Sequence, residues 1–260
     1  MAKWDIKWLK KEAHDKRSFL LSVNRRCRLE PLSYILGATT GFGSKVRTIK
    51  VTMRRPETEY MAEYVIDFIK RSVFNNNTFR FLDVCSGSGC ISLAIAKAFP
   101  KAEVLGIDIS RKAIQLSRQN ALMWNLTNLN YIEKDIFDLS SEELSFRNFD
   151  IIVANPPYIP RQSQTRLGKQ VLKWESHKAL FSDAHGTSFH RLLISEFTRN
   201  CSSSKVQYMI METNGIKQSK QIIEFFYTNC NLNSGNLELQ IFSDQYGIKR
   251  FLLMSNNPKK

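Results

Sequence analysis

Residues 79–99 read Phe79-Arg-Phe-Leu-Asp-Val-Cys-Ser-Gly-Ser-Gly-Cys-Ile-Ser-Leu-Ala-Ile-Ala-Lys-Ala-Phe99, and this stretch decides the fold. Phe79–Val84 is a short apolar run that reads as a buried strand. Cys85–Gly89 is a glycine turn, and Cys90–Phe99 has helical composition. A strand, a glycine turn and a helix in succession aim backbone N–H groups at a ligand. A second strand, predicted over Ala102–Ile109, carries Asp108 nineteen residues after Gly89. An acid at that distance, at the end of the second strand, suits ribose hydroxyls. Asp83 precedes the glycines and Asp135 follows a third predicted strand, so three acids fall at successive strand ends. The pattern points to an adenosine-type cofactor. Ser92 stands where a dinucleotide fingerprint has its third glycine, so S-adenosyl-L-methionine fits better than a nicotinamide.

Working outward, Asn155-Pro156-Pro157-Tyr158 closes a further apolar run, Phe149-Asp-Ile-Ile-Val-Ala154. Proline lacks an N–H and has a fixed φ, and the residue before it is pushed into an extended conformation. The prolines therefore leave carbonyl oxygens without ladder partners beside the Asn155 amide. A side-chain carbonyl and a backbone carbonyl side by side accept both hydrogens of one planar NH2 group, and Tyr158 offers a flat face against it. The plain alternative is a strand ending in a Pro-Pro turn.

Strands are predicted near 79–84, 102–109, 129–133, 149–154, 206–212, 237–243 and 249–254, with helices near 90–99, 110–124, 188–200 and 216–228. Alternation of this kind implies a mostly parallel sheet covered on both faces, with ligands beyond the carboxyl ends of its strands. Residues 1–30 have apolar positions at helical spacing and read as one or two helices. Residues 41–53 suggest a short hairpin, Glu57–Val73 a helix opened by Pro56, and 159–187 a long polar loop of the kind used as a lid or recognition element. The organisation expected is a short N-terminal helical segment over 1–40, a hairpin linker over 41–56 and a catalytic domain over 57–260.

The segment Phe81–Ile91 resembles motif I of class I methyltransferases, and Asn155–Tyr158 resembles their amino-group motif. Three more segments are similar to the release-factor glutamine methyltransferases, the PrmC/HemK group: Pro31-Leu-Ser-Tyr-Ile-Leu-Gly37, Arg55-Pro-Glu-Thr-Glu59 and Trp174-Glu-Ser-His-Lys-Ala-Leu180. The likeness runs from about residue 30 to the C-terminus and is nearest to fungal mitochondrial members. It implies an α/β, Rossmann-like fold with a seven-stranded sheet. It also implies methyl transfer from S-adenosyl-L-methionine to the glutamine amide in the Gly-Gly-Gln loop of a peptide-chain release factor. Residues implied to meet the cofactor are Asp83, Cys85, Ser86, Gly87, Ser88, Gly89, Asp108, Asp135, Ile136 and Asn155, with Arg55 and Thr58 over its methionine end. Asn155, Pro156, Pro157 and Tyr158 are implied to hold the substrate, with Asn155, Pro156 and Tyr158 carrying the catalysis. Departures fall at Arg54, Ser176, Ser182, Asp183 and His185, and the glycine after Glu212-Thr-Asn comes one place late, at Gly215.

The chain has 260 residues, 43% of them hydrophobic and 24% charged, a composition for one domain with an appendage. No run of about 18 uncharged apolar residues is present, so no membrane span is expected. Five cysteines without a Cys-x-x-Cys pair read as reduced thiols, and His177, His185 and His190 match no usual ligand spacing, so no metal is expected. The net charge of +14 suits an acidic partner, nucleic acid or a mitochondrial matrix chain. Mitochondrial location is expected, with the cytoplasm as the alternative, although Asp5, Glu12 and Asp15 make a poor transit peptide. A monomer is expected. The competing functional class is an amino-methyltransferase acting on adenine or cytosine in DNA or RNA, which shares the Asn-Pro-Pro-Tyr logic but usually needs a larger recognition domain.

Overall fold

The apolar run before the glycines becomes the central strand of a seven-stranded sheet. The computed structural model describes residues 3–41, 44–47, 56–71, 78–138, 145–200, 207–229 and 236–257. Three short helices come first, α1 (Lys3–Glu12), α2 (Lys16–Cys27) and α3 (Leu32–Leu36). Asp15 caps α2 by accepting from the Ser18 N–H at 2.7 Å, and Ser18 Oγ accepts from the Asp15 N–H in return, which satisfies two donors that a helix start leaves open. Gly37 ends α3 in the left-handed region, at φ 69. The chain turns there at once into the antiparallel pair β1 (Ala38–Gly41) and β2 (Ser44–Arg47). The ladder thus begins three residues before the predicted 41, because glycine lets the chain turn directly out of the helix; residues 48–53 of the predicted hairpin lie outside the described residues.

Helix α4 (Pro56–Arg71) opens on its proline as predicted. Then follow β3 (Arg80–Val84), α5 (Cys90–Ala98), β4 (Glu103–Asp108), α6 (Arg111–Met123), β5 (Leu129–Glu133) and β6 (Ile151–Ala154). The C-terminal part has α9 (Ser188–Asn200), β9 (Tyr208–Glu212), α10 (Ile216–Asn229), β10 (Asn236–Ser243) and β11 (Lys249–Asn257). Sheet order is β10-β11-β9-β6-β3-β4-β5. Only β11 runs against its neighbours. This is the mostly parallel, Rossmann-like sheet that the strand–helix alternation predicts.

Side chains alternate across the sheet, so successive residues of one strand feed different cores. Phe81, Val104, Ile151, Val153 and Ile210 pack with α4, α5 and α6 on one face. Leu82, Val84, Ile107, Ile152 and Met211 pack with α9 and α10 on the other. Burial on both sides explains why these strands read as continuous apolar runs.

The segment predicted as a polar loop over 159–187 is instead a chain of short elements: β7 (Ile159–Pro160), α7 (Lys169–Trp174), α8 (His177–Leu180) and β8 (Phe181–Ser182), with 3-10 turns at Arg161–Arg166 and Ala184–Gly186. Tyr158, Ile159, Leu180 and Phe181 bury one another there, with Leu167, Val171 and Leu172 against them. Each element is too short to print a periodicity in the sequence, yet together they close a small core. Trp174 Nε1 donates to the Arg28 carbonyl at 3.3 Å and ties this segment to the N-terminal helices.

Candidate active site

Strands β3, β4, β5 and β6 run parallel, so their carboxyl ends share one edge. β4 and β5 lie on one side of β3, while β6 and β9 lie on the other. The order of addition reverses between β3 and β6, and such a reversal leaves a crevice. A cavity of about 520 Å³ opens there, within the usual range for a small-molecule site. Its walls include Asp83 from β3, Cys85, Ser86, Gly87 and Ser88 from the turn after it, Asp108 from β4, and Asp135 and Ile136 beyond β5. Asn155, Pro156, Pro157 and Tyr158 follow β6, and Thr58 comes from α4. Arg54 and Arg55 lie outside the described residues. Gly89 does not line the cavity: a side chain there would begin 2.1 Å from the Tyr131 hydroxyl. Its φ of 82 and this close approach give Gly89 a packing reason to be glycine.

Asp108 draws the turn together. Its Oδ2 accepts the Gly87 N–H at 2.9 Å and its Oδ1 the Ser110 N–H at 2.8 Å. A carboxylate oxygen has two acceptor positions, so each keeps one for a ligand hydroxyl. Burial holds the Asp108 carboxyl above the usual carboxylate range. Asp83 is buried more deeply and accepts the Ser92 N–H at 3.0 Å; desolvation pushes its carboxyl up to about 7. Burial also pushes the Cys85 thiol well above its ordinary value, which keeps it neutral and unsuited to nucleophilic attack. Ser86 Oγ is buried with no hydrogen-bond partner in the protein, and Ser86 lines the cavity. A buried hydroxyl without a partner, at a residue that lines a cavity, needs a polar partner that a ligand or water can supply. Together with the acid at the end of β4, this fits the ribose and amino-acid ends of S-adenosylmethionine.

On the opposite wall, Asn155 Nδ2 donates to Thr58 Oγ1 at 3.1 Å. That bond leaves Asn155 Oδ1 as the acceptor of the pair. Tyr158 is fixed at both ends. Its hydroxyl donates to Glu212 Oε1 at 3.0 Å, and its carbonyl accepts from Gln218 Nε2 at 2.8 Å. The Glu212 carbonyl accepts from His190 Nε2 at 2.8 Å. Burial pushes the His190 imidazole down to about 4, so the ring is neutral with its proton on Nε2.

In the sequence Glu212 figures only as part of a family segment, with no role at the site, and neither Gln218 nor Tyr131 is marked. The available signal was weak: Glu212 ends an apolar run, Gln218 sits in an ordinary first helical turn, and Tyr131 alternates within a strand. Tyr131 packs over Gly106, where a Cβ would come within 2.5 Å of its ring, and its hydroxyl meets Ser92 Oγ at 3.0 Å.

Residues 75–214 match the family model described as a methyltransferase domain. The release factor glutamine methyltransferase of Thermodesulfovibrio yellowstonii is 30% identical over 247 residues, covering 95% of this chain and 82% of its own length. That of Flavobacterium psychrophilum is 35% identical over 223 residues, covering 85% of this chain and 75% of its own. Among solved structures, the hMettl16 catalytic domain in complex with MAT2A 3'UTR hairpin 1 superposes with a TM-score of 0.63 at 11% identity, over 98% of this chain and 94% of that one. At that identity the likeness speaks to the fold alone.

Proposed function

The chain belongs to the release factor glutamine methyltransferase family, and from that premise we propose that it methylates the glutamine side-chain amide in the Gly-Gly-Gln loop of a peptide-chain release factor. It is an S-adenosylmethionine-dependent methyltransferase. The observation that carries the substrate reading is Asn155, its Nδ2 bonded to Thr58, standing with Pro156 and Tyr158 in the same cavity as the acid-lined turn.

An amide nitrogen is a poor nucleophile because its lone pair is delocalised into the carbonyl. Asn155 Oδ1 and the Pro156 carbonyl accept its two hydrogens and orient it. They also stabilise the positive charge that grows on the nitrogen during transfer. Thr58 holds the Asn155 amide in that orientation, and the ring of Tyr158, fixed by Glu212 and Gln218, limits rotation of the amide plane. Asp108 would take the ribose hydroxyls, with Asp83, Ser86, Gly87, Ser88, Asp135 and Ile136 lining the rest of the cofactor's place. The cofactor supplies an electrophilic methyl group on a sulfonium; alignment of the nitrogen with it contributes through proximity. The proton leaves the methylated nitrogen towards Asn155 Oδ1 or water.

The proposed organisation is a short N-terminal segment over 1–40, a hairpin linker over 41–56 and the methyltransferase domain over 57–260; contacts of α1, α2 and α3 with one another support the first, with the first strand of the hairpin already begun at Ala38. Mitochondrial location is supported by the net charge of +14; no helix among the described residues is long and apolar enough to cross a membrane. Organelle fractionation tests the location.

Asn155→Ala tests the chemistry. Loss of one preorganised transition-state partner lowers turnover by about 100- to 1,000-fold, with the fold and much of the cofactor affinity retained. Turnover within a few-fold of wild type defeats the reading.

A further inference from the structure

Gln218 stands in the first turn of α10, nearly buried at 5% exposure, and outside the cavity. Its Nε2 donates to the Tyr158 carbonyl at 2.8 Å and the Gly186 carbonyl at 3.2 Å, with the His185 carbonyl at 3.4 Å. Its Oε1 accepts the Asn214 N–H at 2.8 Å. One side chain thus joins three segments distant in sequence: the Asn-Pro-Pro-Tyr turn, the 3-10 turn at Ala184–Gly186 and the β9–α10 turn. Gly186 is shaped around this junction. It has φ 86, and a Cβ there would lie 2.3 Å from the Tyr158 oxygen and 2.5 Å from Gln218 Nε2.

The junction lies two residues from the acceptor pair, and the intervening chain is stiff. Pro157 has φ locked by its ring and holds Pro156 before it in an extended conformation, so a fixed Tyr158 carbonyl restricts the direction of the Pro156 carbonyl upstream. We propose that Gln218 is a positioning residue for methyl transfer: it anchors Tyr158, and through the two prolines it sets the direction of the Asn155–Pro156 acceptors. This inference rests on the assignment of those acceptors to the substrate amide.

The test compares Gln218→Met, Gln218→Glu, Gly186→Ala, the Gln218→Met/Gly186→Ala double variant and Asn155→Ala with wild type. Readouts are kcat and KM for an intact release factor, cofactor Kd by calorimetry, and melting temperature, with kinetics run well below each variant's transition. Gln218→Met keeps the side chain's length without its donors. It is expected to lower kcat by about 10- to 100-fold, the cost of a small misplacement at a reacting centre, with cofactor Kd within about 3-fold of wild type on the same scale of positional effects. Gln218→Glu keeps the acceptor for the Asn214 N–H but loses the donors, and is expected to share the kcat loss. Gly186→Ala strains the same junction, so its effect on ln kcat combines with that of Gln218→Met less than additively. A folded Gln218→Met enzyme with wild-type kcat, beside an inactive Asn155→Ala, overturns the positioning role alone. A loss of turnover explained wholly by weaker cofactor binding also overturns it. Wild-type turnover in Asn155→Ala removes the substrate assignment and this inference with it.

Discussion

Asn155 donates its side-chain N–H to Thr58 Oγ1 across 3.1 Å, a bond between residues 97 positions apart. It links the helix that opens on Pro56 to the strand end that carries the acceptor pair. An unrestrained asparagine amide can turn its NH2 group towards the substrate, where it would repel the hydrogens it must accept. Thr58→Val keeps the shape and removes the acceptor. The loss of one neutral hydrogen bond, about 0.5–1.5 kcal/mol, is expected to lower turnover by up to about 10-fold. Steady-state kinetics on an intact release factor checks this, and unchanged kcat separates Thr58 from catalysis.

Asp108 lies at the end of β4, where its carboxylate already holds the Gly87 and Ser110 N–H groups. Asp108→Ala removes both that bracing and the acceptors proposed for the ribose. Cofactor affinity is expected to fall by about 1–3 kcal/mol, the scale of a lost charge-assisted hydrogen bond. Titration calorimetry on the folded variant gives the answer; unchanged affinity takes Asp108 out of the ribose role.

His190 supplies a pH dependence of stability. Its imidazole is pushed down to about 4 by burial, against about 6.5 in an unfolded chain. Between those values the unfolded chain binds a proton that the folded one does not. Stability therefore falls as pH drops from about 6.5 to 4 and gains nothing further from this group above 6.5; the whole effect is on the order of 3 kcal/mol. Denaturant melts of wild type and His190→Gln across this window test it. The variant is expected to have the shallower acid limb, and parallel curves exclude the histidine as the cause.

How far the sequence could be read depended on how local each determinant is. The turn from Cys85 to Gly89, Asp108 and Asn155 all lie directly after apolar runs, so chain position alone puts them on one sheet edge. The contacts that hold Tyr158 are different in kind. Glu212 and Gln218 reach it from 54 and 60 residues away, and neither belongs to a periodic pattern pointing at the site. The 159–187 segment read as polar because its apolar residues, among them Leu172 and Phe181, are spread over elements of two to six residues. Its small core exists only once those elements fold back on Ile159. Gly89 carries a further constraint that the sequence does not show: Tyr131, which occupies the space beside it, is a strand residue with no local mark of that contact.

The substrate reading makes the sharpest demand. An intact release factor with a Gly-Gly-Gln loop is expected to gain one methyl group at that glutamine, seen by intact-mass spectrometry with labelled cofactor. Replacing the glutamine by asparagine withdraws the amide nitrogen by one methylene, out of reach of an acceptor pair held by Thr58 and the two prolines, and labelling stops. A bare peptide with the same loop reacts far less well, because remote contacts with a folded factor supply positioning that a flexible peptide achieves only at an entropic cost. With a net charge of +14 on the enzyme, association with an acidic surface weakens as salt rises, so KM for the factor climbs with ionic strength more steeply than KM for the peptide. Equal rates on peptide and factor mean that neither the N-terminal helices nor the segment after Tyr158 adds recognition. Labelling of DNA or RNA in place of the factor moves the acceptor pair's natural target from a glutamine amide to a base amino group.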